Sequence, residues 1–121
     1  MSLSVKTRHS NGVSIVDLEG RITLGEATGL LRETVKTSLA EGNKDILLNL
    51  GQVSYIDSAG LGELVGCSTT VRNAGGRLKL MQLQKKISDL MAITKLHTVF
   101  EVIDDEAKAV ASYAATSGSA S

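Results

Sequence analysis

The residue types that could do chemistry converge on one short segment, Ser54-Tyr55-Ile56-Asp57-Ser58-Ala59-Gly60-Leu61-Gly62-Glu63-Leu64-Val65-Gly66. It lies where an apolar strand pattern gives way to a helical one, the edge on which α/β folds place functional groups. Ser58 falls where a helix N-cap is expected, directly after Asp57. A serine there has two uses. Its oxygen can accept a hydrogen bond from a free N–H of the first turn, worth about 1 kcal/mol. Its hydroxyl can instead receive a phosphoryl group, adding about −1.5 to −2 charge beside N–H groups that favour an anion. On residue chemistry alone, capping is the plainer use.

The other reactive side chains are poorly equipped. Cys67 is the single cysteine. It cannot close an internal disulfide or form a thiolate cluster, and its mid-helix place reads as packing. His9 and His97 are isolated, with no ligand-spaced neighbours, so no metal or cofactor is expected. No glycine-rich loop ends in Gly-Lys-Ser/Thr. A phosphorelay receiver would need acids after its first strand for Mg²⁺ and a lysine near its last. Here the first strand leads into His9-Ser10-Asn11-Gly12, and Lys108 lies within a helix pattern. Ser58 has no sequence sign of a base partner, so an enzyme is not expected.

Composition narrows the partners. Lys+Arg and Asp+Glu both number 13, a formal net charge of zero. That argues against a chain-wide electrostatic grip on nucleic acid. Tyr55, Phe100 and Tyr113 are the only aromatics, too few for base-stacking platforms. No apolar run of about 18 residues is present and Met1–His9 lacks a signal-peptide core, so a cytoplasmic protein without membrane insertion is expected. At 121 residues the chain is one domain's worth.

The elements that must position Ser58 follow from periodicity. Leu3, Val5 and Thr7 alternate with polar residues as a strand does, Asn11-Gly12 is a hairpin turn, and Val13–Leu18 reads as the returning strand. Thr23 and Glu26 have capping-box spacing before a helix with the stripe Leu30, Leu31, Val35 and Leu39, ended by Glu41-Gly42. Ile46–Leu50 is a strand covered on both faces. A second helix spans Ser58–Ala74, stopped by Gly75-Gly76. A strand over Leu78–Leu83, a helix over Gln84–Thr94, a strand over Val99–Ile103 and a helix over Asp104–Ala114 follow. The expected fold is a single α/β domain over residues 1–115, with a mixed, mostly parallel sheet of 4–5 strands and about four helices. Residues 116–121 are expected to form a flexible tail.

The second helix breaks local rules. Projection at about 100° per residue puts Leu61, Leu64, Val65, Ser68 and Val71 on one side. The other carries Gly62, Gly66, Thr69, Thr70 and Asn73, with Glu63 its one charged member. Each interior glycine costs about 1 kcal/mol relative to alanine. Gly60, Gly62 and Gly66 are therefore unexplained unless they allow tight packing or a smooth surface that another backbone can approach.

In this architecture Ile56-Asp57-Ser58-Ala59-Gly60-Leu61-Gly62 resembles the phosphorylation motif of STAS-domain anti-sigma factor antagonists. The resemblance extends from Ser4 to about Ala111, through the hairpin, Gly20, Leu48-Asn49-Leu50 and Gly75-Gly76. It implies that Ser58 is phosphorylated by an anti-sigma factor with serine kinase activity and restored by a serine phosphatase. It also implies that the unphosphorylated face binds that factor through Asp57, Ser58, Ala59, Gly60, Gly62, Glu63, Gly66, Thr69 and Thr70, together with the turn at Arg21 and Thr23. Ala59 stands where many members have Ser or Thr, removing a second acceptor. Gly20-Arg21-Ile22-Thr23 replaces the acidic pair common before the first helix. The alternative is a STAS scaffold subunit of a transporter or sensory assembly.

Overall fold

A computed structural model describes residues 3–119, with side chains through Ala114. β1 (Leu3–Ser10) and β2 (Val13–Ile22) pair antiparallel around Asn11-Gly12, both at positive φ. This is the backbone twist that a two-residue hairpin turn requires. α1 (Glu26–Ala40), β3 (Asp45–Ile56), α2 (Ser58–Asn73), β4 (Arg77–Met81) and α3 (Lys85–Ile93) follow. A 3₁₀ turn (Leu96–Thr98), β5 (Val102–Ile103) and α4 (Glu106–Ser119) complete the chain. The strand order is β1-β2-β3-β4-β5, parallel from β2 onward, so the expected mixed sheet is present with five strands and four helices among the described residues. The helix expected to end at Ala114 runs on to Ser119, so residues 116–119 of the expected tail continue α4, and its last two residues lie outside the described residues.

Two cores follow from the pleat of the sheet. Ile46, Leu48 and Leu50 of β3 join Leu31 and Val35 of α1, Leu61, Leu64, Cys67 and Val71 of α2, and Ile87 and Met91 of α3. Leu47 faces the other way, packing with Val13, Ile15, Met81 and the α4 residues Ala109, Val110 and Tyr113. Successive side chains on a strand point to opposite faces, so the near-continuous apolar run serves both layers.

β3 is longer than the apolar run that announced it, and β2 likewise continues past Leu18 to Ile22. Register shifts between Asp17 and Glu19, and between Gly20 and Arg21, each insert an extra β3 residue against β2. These bulges restore the inward direction, so Val53 and Ile56 re-enter the main core after Leu50. The alternation lost in the sequence is recovered in space, and the strand delivers Asp57 and Ser58 to the sheet edge.

α4 is held by polar contacts as well as packing. The buried Tyr113 hydroxyl donates to the Ile46 carbonyl, and the Lys79 ammonium lies 4.6 Å from its ring centroid. Lys79 Nζ also donates to Ser112 Oγ at 2.8 Å. At the start of α4, Arg8 bridges Asp17 at 2.6 Å and Glu106 at 2.7 Å. Tyr113→Phe removes one buried hydrogen bond while keeping ring packing. It should lower unfolding free energy by about 1 kcal/mol in urea denaturation; an unchanged midpoint would show that the bond contributes nothing net.

Candidate functional site

β3 ends at Ile56 and α2 begins at Ser58, so Asp57 alone makes the turn. Its Oδ1 accepts from the Gly60 N–H at 2.7 Å, and its backbone carbonyl accepts the Leu61 N–H at 2.9 Å. Asp57, not Ser58, is therefore the N-cap, and Ser58 is the first helical residue. The capping use expected of Ser58 is already filled. Its side chain is exposed, and its hydroxyl makes no hydrogen bond among the described residues.

The second Asp57 oxygen reaches across the fold. Oδ2 accepts from the Leu24 N–H at 3.0 Å, while the Asp57 N–H donates to the Ile22 carbonyl at 3.3 Å. One side chain thus ties the β2–α1 turn to the start of α2. That turn also corrects the expected capping box. Thr23 and Glu26 do not form it; Gly25 precedes α1 and the Thr28 hydroxyl bonds both its N–H and its carbonyl. With the Leu24 N–H taken by Asp57, the chain turns into α1 at Gly25, whose φ of +112° disfavours any residue with a Cβ.

The Gly60 and Leu24 N–H groups, in that order, hold the Asp57 carboxyl below the ordinary aspartate range of about 3.9. Its folded value is depressed, so its stabilising contribution is full above the unfolded value and is lost as the pH falls through the folded one. In an NMR titration the Gly60 and Leu24 amides should move together, with a midpoint below that of a denatured-chain aspartate. Asp57→Asn should abolish that step. A midpoint at or above the ordinary range would contradict the cap.

The glycines of α2 divide into two kinds. A Cβ on Gly60 would lie 2.2 Å from the Ile22 carbonyl oxygen and 2.8 Å from Ile56 Cγ2. Gly60 is buried packing against the sheet and offers no surface, a correction to its expected place in the partner face. Gly62 and Gly66 are exposed, with nothing within 4 Å of where a Cβ would stand. Thr69 and Thr70 share that open side, their hydroxyls turned back onto the carbonyls of Val65 and Gly66. Ala59 is half-buried beside them.

Glu63 is less available than its helical position implied. Its Oε1 pairs with Arg32 Nη2 of α1 at 2.6 Å, and its side chain retains 11% exposure. Cys67 beneath it is buried, and burial, followed by the Glu63 charge, pushes its thiol up to about 12. The thiol is thus protonated at neutral pH and is no nucleophile. Arg21 is exposed, its guanidinium 4.8 Å over the Tyr55 ring, and Thr23 is half-buried behind it.

Two grooves flank the exposed stripe of α2. One, of about 510 Å³, runs between α1 and α2 past Leu24, Lys36, Gly62 and Gly66. The other, of about 570 Å³, lies between α2 and α3 and includes Ser58, Lys86, Ile87, Leu90 and Thr94. Sequence reasoning missed the α3 wall and Leu24, which is 77% exposed. The one available signal was an apolar residue set in a turn between Thr23 and Gly25.

A mixed five-stranded sheet entered by a hairpin, with an exposed serine opening the helix after its longest strand, is the architecture of a STAS domain. Residues 4–109 match the STAS domain family. The chain belongs to the STAS-domain family of anti-sigma factor antagonists: it is 36% identical over 102 residues to the anti-sigma-B factor antagonist of Bacillus subtilis (strain 168), covering 84% of this chain and 92% of that protein. The Thermotoga maritima protein TM1081 shares the fold with a TM-score of 0.81 at 23% identity, over 89% of this chain and 92% of that one. Bacillus SpoIIAA in its phosphorylated form superposes with a TM-score of 0.70 at 18% identity, over 91% of this chain and 99% of that one.

Proposed function

We propose that this protein is an anti-sigma factor antagonist whose docking is switched by phosphorylation of Ser58. The observation that carries the reading is the free, exposed Ser58 hydroxyl at the first residue of α2, beside a surface that Gly62 and Gly66 leave bare. Unphosphorylated, the protein holds an anti-sigma factor through that stripe, with Ala59, Glu63, Thr69 and Thr70 along it and the Arg21–Thr23 turn at its end. Asp57 acts behind the surface, fixing the turn and the start of α2 relative to each other.

The anti-sigma factor is also the kinase. It moves the γ-phosphoryl group of its bound ATP onto Ser58 Oγ, breaking the β–γ anhydride as the new P–O bond forms, and a base on the kinase takes the hydroxyl proton. A serine phosphatase reverses the state by hydrolysis. The phosphoryl chemistry belongs to those two enzymes, and the antagonist supplies an acceptor and a surface. The exchange takes place in the cytoplasm, where the kinase finds its ATP. Among the described residues no helix is long and apolar enough to cross a membrane.

The test is phosphoryl transfer itself. Incubated with ATP and each anti-sigma factor kinase of the source genome, the native protein should gain one phosphate, mapped to Ser58 by peptide mass spectrometry. Ser58→Ala should gain none. Equal labelling of Ser58→Ala, or no labelling of the native protein by any of them, would overturn the reading.

A further inference from the structure

The walls facing α2 across its two grooves carry cations. Arg32 and Lys36 line the α1 side, and Lys86 lines the α3 side. Of the acids in these grooves, Glu63 is ion-paired with Arg32. The Asp57 carboxylate keeps its charge but has both oxygens turned onto the Gly60 and Leu24 N–H groups, away from Lys86, leaving the lysines in excess. Lys36 and Lys86 are exposed and make no ion pair among the described residues, unlike Lys85, which holds Asp89 at 3.0 Å. Arg21 stands exposed at the β2 end of the same face. The chain as a whole carries no net charge. The positive surplus here is offset elsewhere, as by Asp104, Asp105 and Glu106 leading into α4 on the opposite side of the sheet.

We infer that the surface seated on this face is acidic: a helix of the anti-sigma factor lies in the α1–α2 groove with a carboxylate at Lys36, and a second carboxylate meets Lys86. The inference rests on the partner-switching reading and names the chemistry of the partner's side. Charge complementarity selects that occupant, since two unpaired ammonium groups at an interface need carboxylates or are left uncompensated. The groove admits a helix because Gly62 and Gly66, one turn apart, put no side chain between the two backbones.

This arrangement also explains how one phosphate acts on a whole interface. Ser58 shares its groove with Lys86. A phosphoryl group there brings about −1.5 to −2 charge to the lysine that the partner's carboxylate needs. It both occupies that cation and repels the arriving acid, so attraction becomes repulsion without a change of fold.

Association kinetics provide the test. Each purified anti-sigma factor kinase of the source genome is mixed with native protein, Lys36→Glu, Lys86→Glu and the double variant. Mixing is done at about 0.01 M and about 1 M salt, where screening lengths are about 30 Å and about 3 Å. Native association should slow as salt rises. The double variant should associate about 10- to 100-fold more slowly than native at low salt, with most of the difference lost at high salt. Salt-independent native association, or unchanged or faster association of the double variant, would overturn the inference. Unaltered melting curves of these exposed-site variants exclude misfolding as the cause of slow association. Ser58→Asp in the same assay separates the two readings: if it loses binding while the lysine variants bind as native, the acidic partner is wrong and the switch stands. If no kinase binds the unmodified protein, both fall.

Discussion

Ser58→Asp is expected to weaken binding of the anti-sigma factor by about 30- to 150-fold in isothermal titration, with the far-UV circular dichroism spectrum unchanged. The range corresponds to about 2–3 kcal/mol. The Ser58 side chain is exposed and makes no hydrogen bond among the described residues, so the change breaks none of them. An acid in the first turn of α2 interacts favourably with the helix dipole, by about 0.3–1 kcal/mol at an exposed site. The melting temperature should therefore hold or rise slightly while affinity falls, and this divergence separates a switch from simple damage. The loss arises in the complex, where the new carboxylate stands beside Asp57, takes up the Lys86 ammonium that shares its groove and repels the partner's acid. One carboxylate carries less charge than a phosphate, so genuine phospho-Ser58 should bind still more weakly. Native affinity of a folded Ser58→Asp protein would remove Ser58 from the interface.

Gly60→Ala and Gly62→Ala should move stability in opposite directions although they lie two residues apart on one helix. At Gly60 the added methyl carbon would stand 2.2 Å from the Ile22 carbonyl oxygen. That oxygen cannot withdraw cheaply, because it accepts the Asp57 N–H that closes the β3–α2 turn. Overpacking against backbone should cost about 3 kcal/mol, the upper part of the usual range. At Gly62 the methyl meets open solvent, and replacing glycine in a helix interior should stabilise by up to about 1 kcal/mol. Urea denaturation of the two variants reads both signs. A Gly60→Ala midpoint equal to native would contradict the close approach of α2 to β2. On the docking proposed above, Gly62 serves what approaches α2 from outside, since nothing within the domain packs where its Cβ would stand.

Much of the frame was legible because it is written locally. Asn11-Gly12 demands a tight hairpin wherever it falls between strands, and Gly75 ends a helix by the backbone freedom of its positive φ. The apolar run at Ile46–Leu50 announced a strand buried on both faces, and the two cores bear this out. The bounds of α2 and α3 were legible to within a residue or so, since each has a full apolar stripe and a clear stop. β3 beyond Leu50 was not legible, because its two bulges break the two-residue period on which strand recognition depends. The last strand, β5, is shorter than its residue types suggest. Val99 and Phe100 look like strand residues, yet the chain around them is taken up by the 3₁₀ turn at Leu96–Thr98.

At the site, the sequence by itself determined the chemistry available: one serine after an aspartate at a strand-to-helix junction, followed by glycines. Tertiary structure decided what each of those residues does. Two adjacent residues could cap α2, and Asp57 does so while its second oxygen reaches the Leu24 N–H, a partner 33 positions away that no local pattern reveals. That choice left the Ser58 hydroxyl free. Three glycines looked alike in sequence, and the approach of β2 made Gly60 a packing residue while Gly62 and Gly66 remained open. The physical reason is the same in both cases. Capping and helix propensity act over three or four residues, whereas burial and hydrogen-bond competition are settled by whichever segment the fold brings alongside.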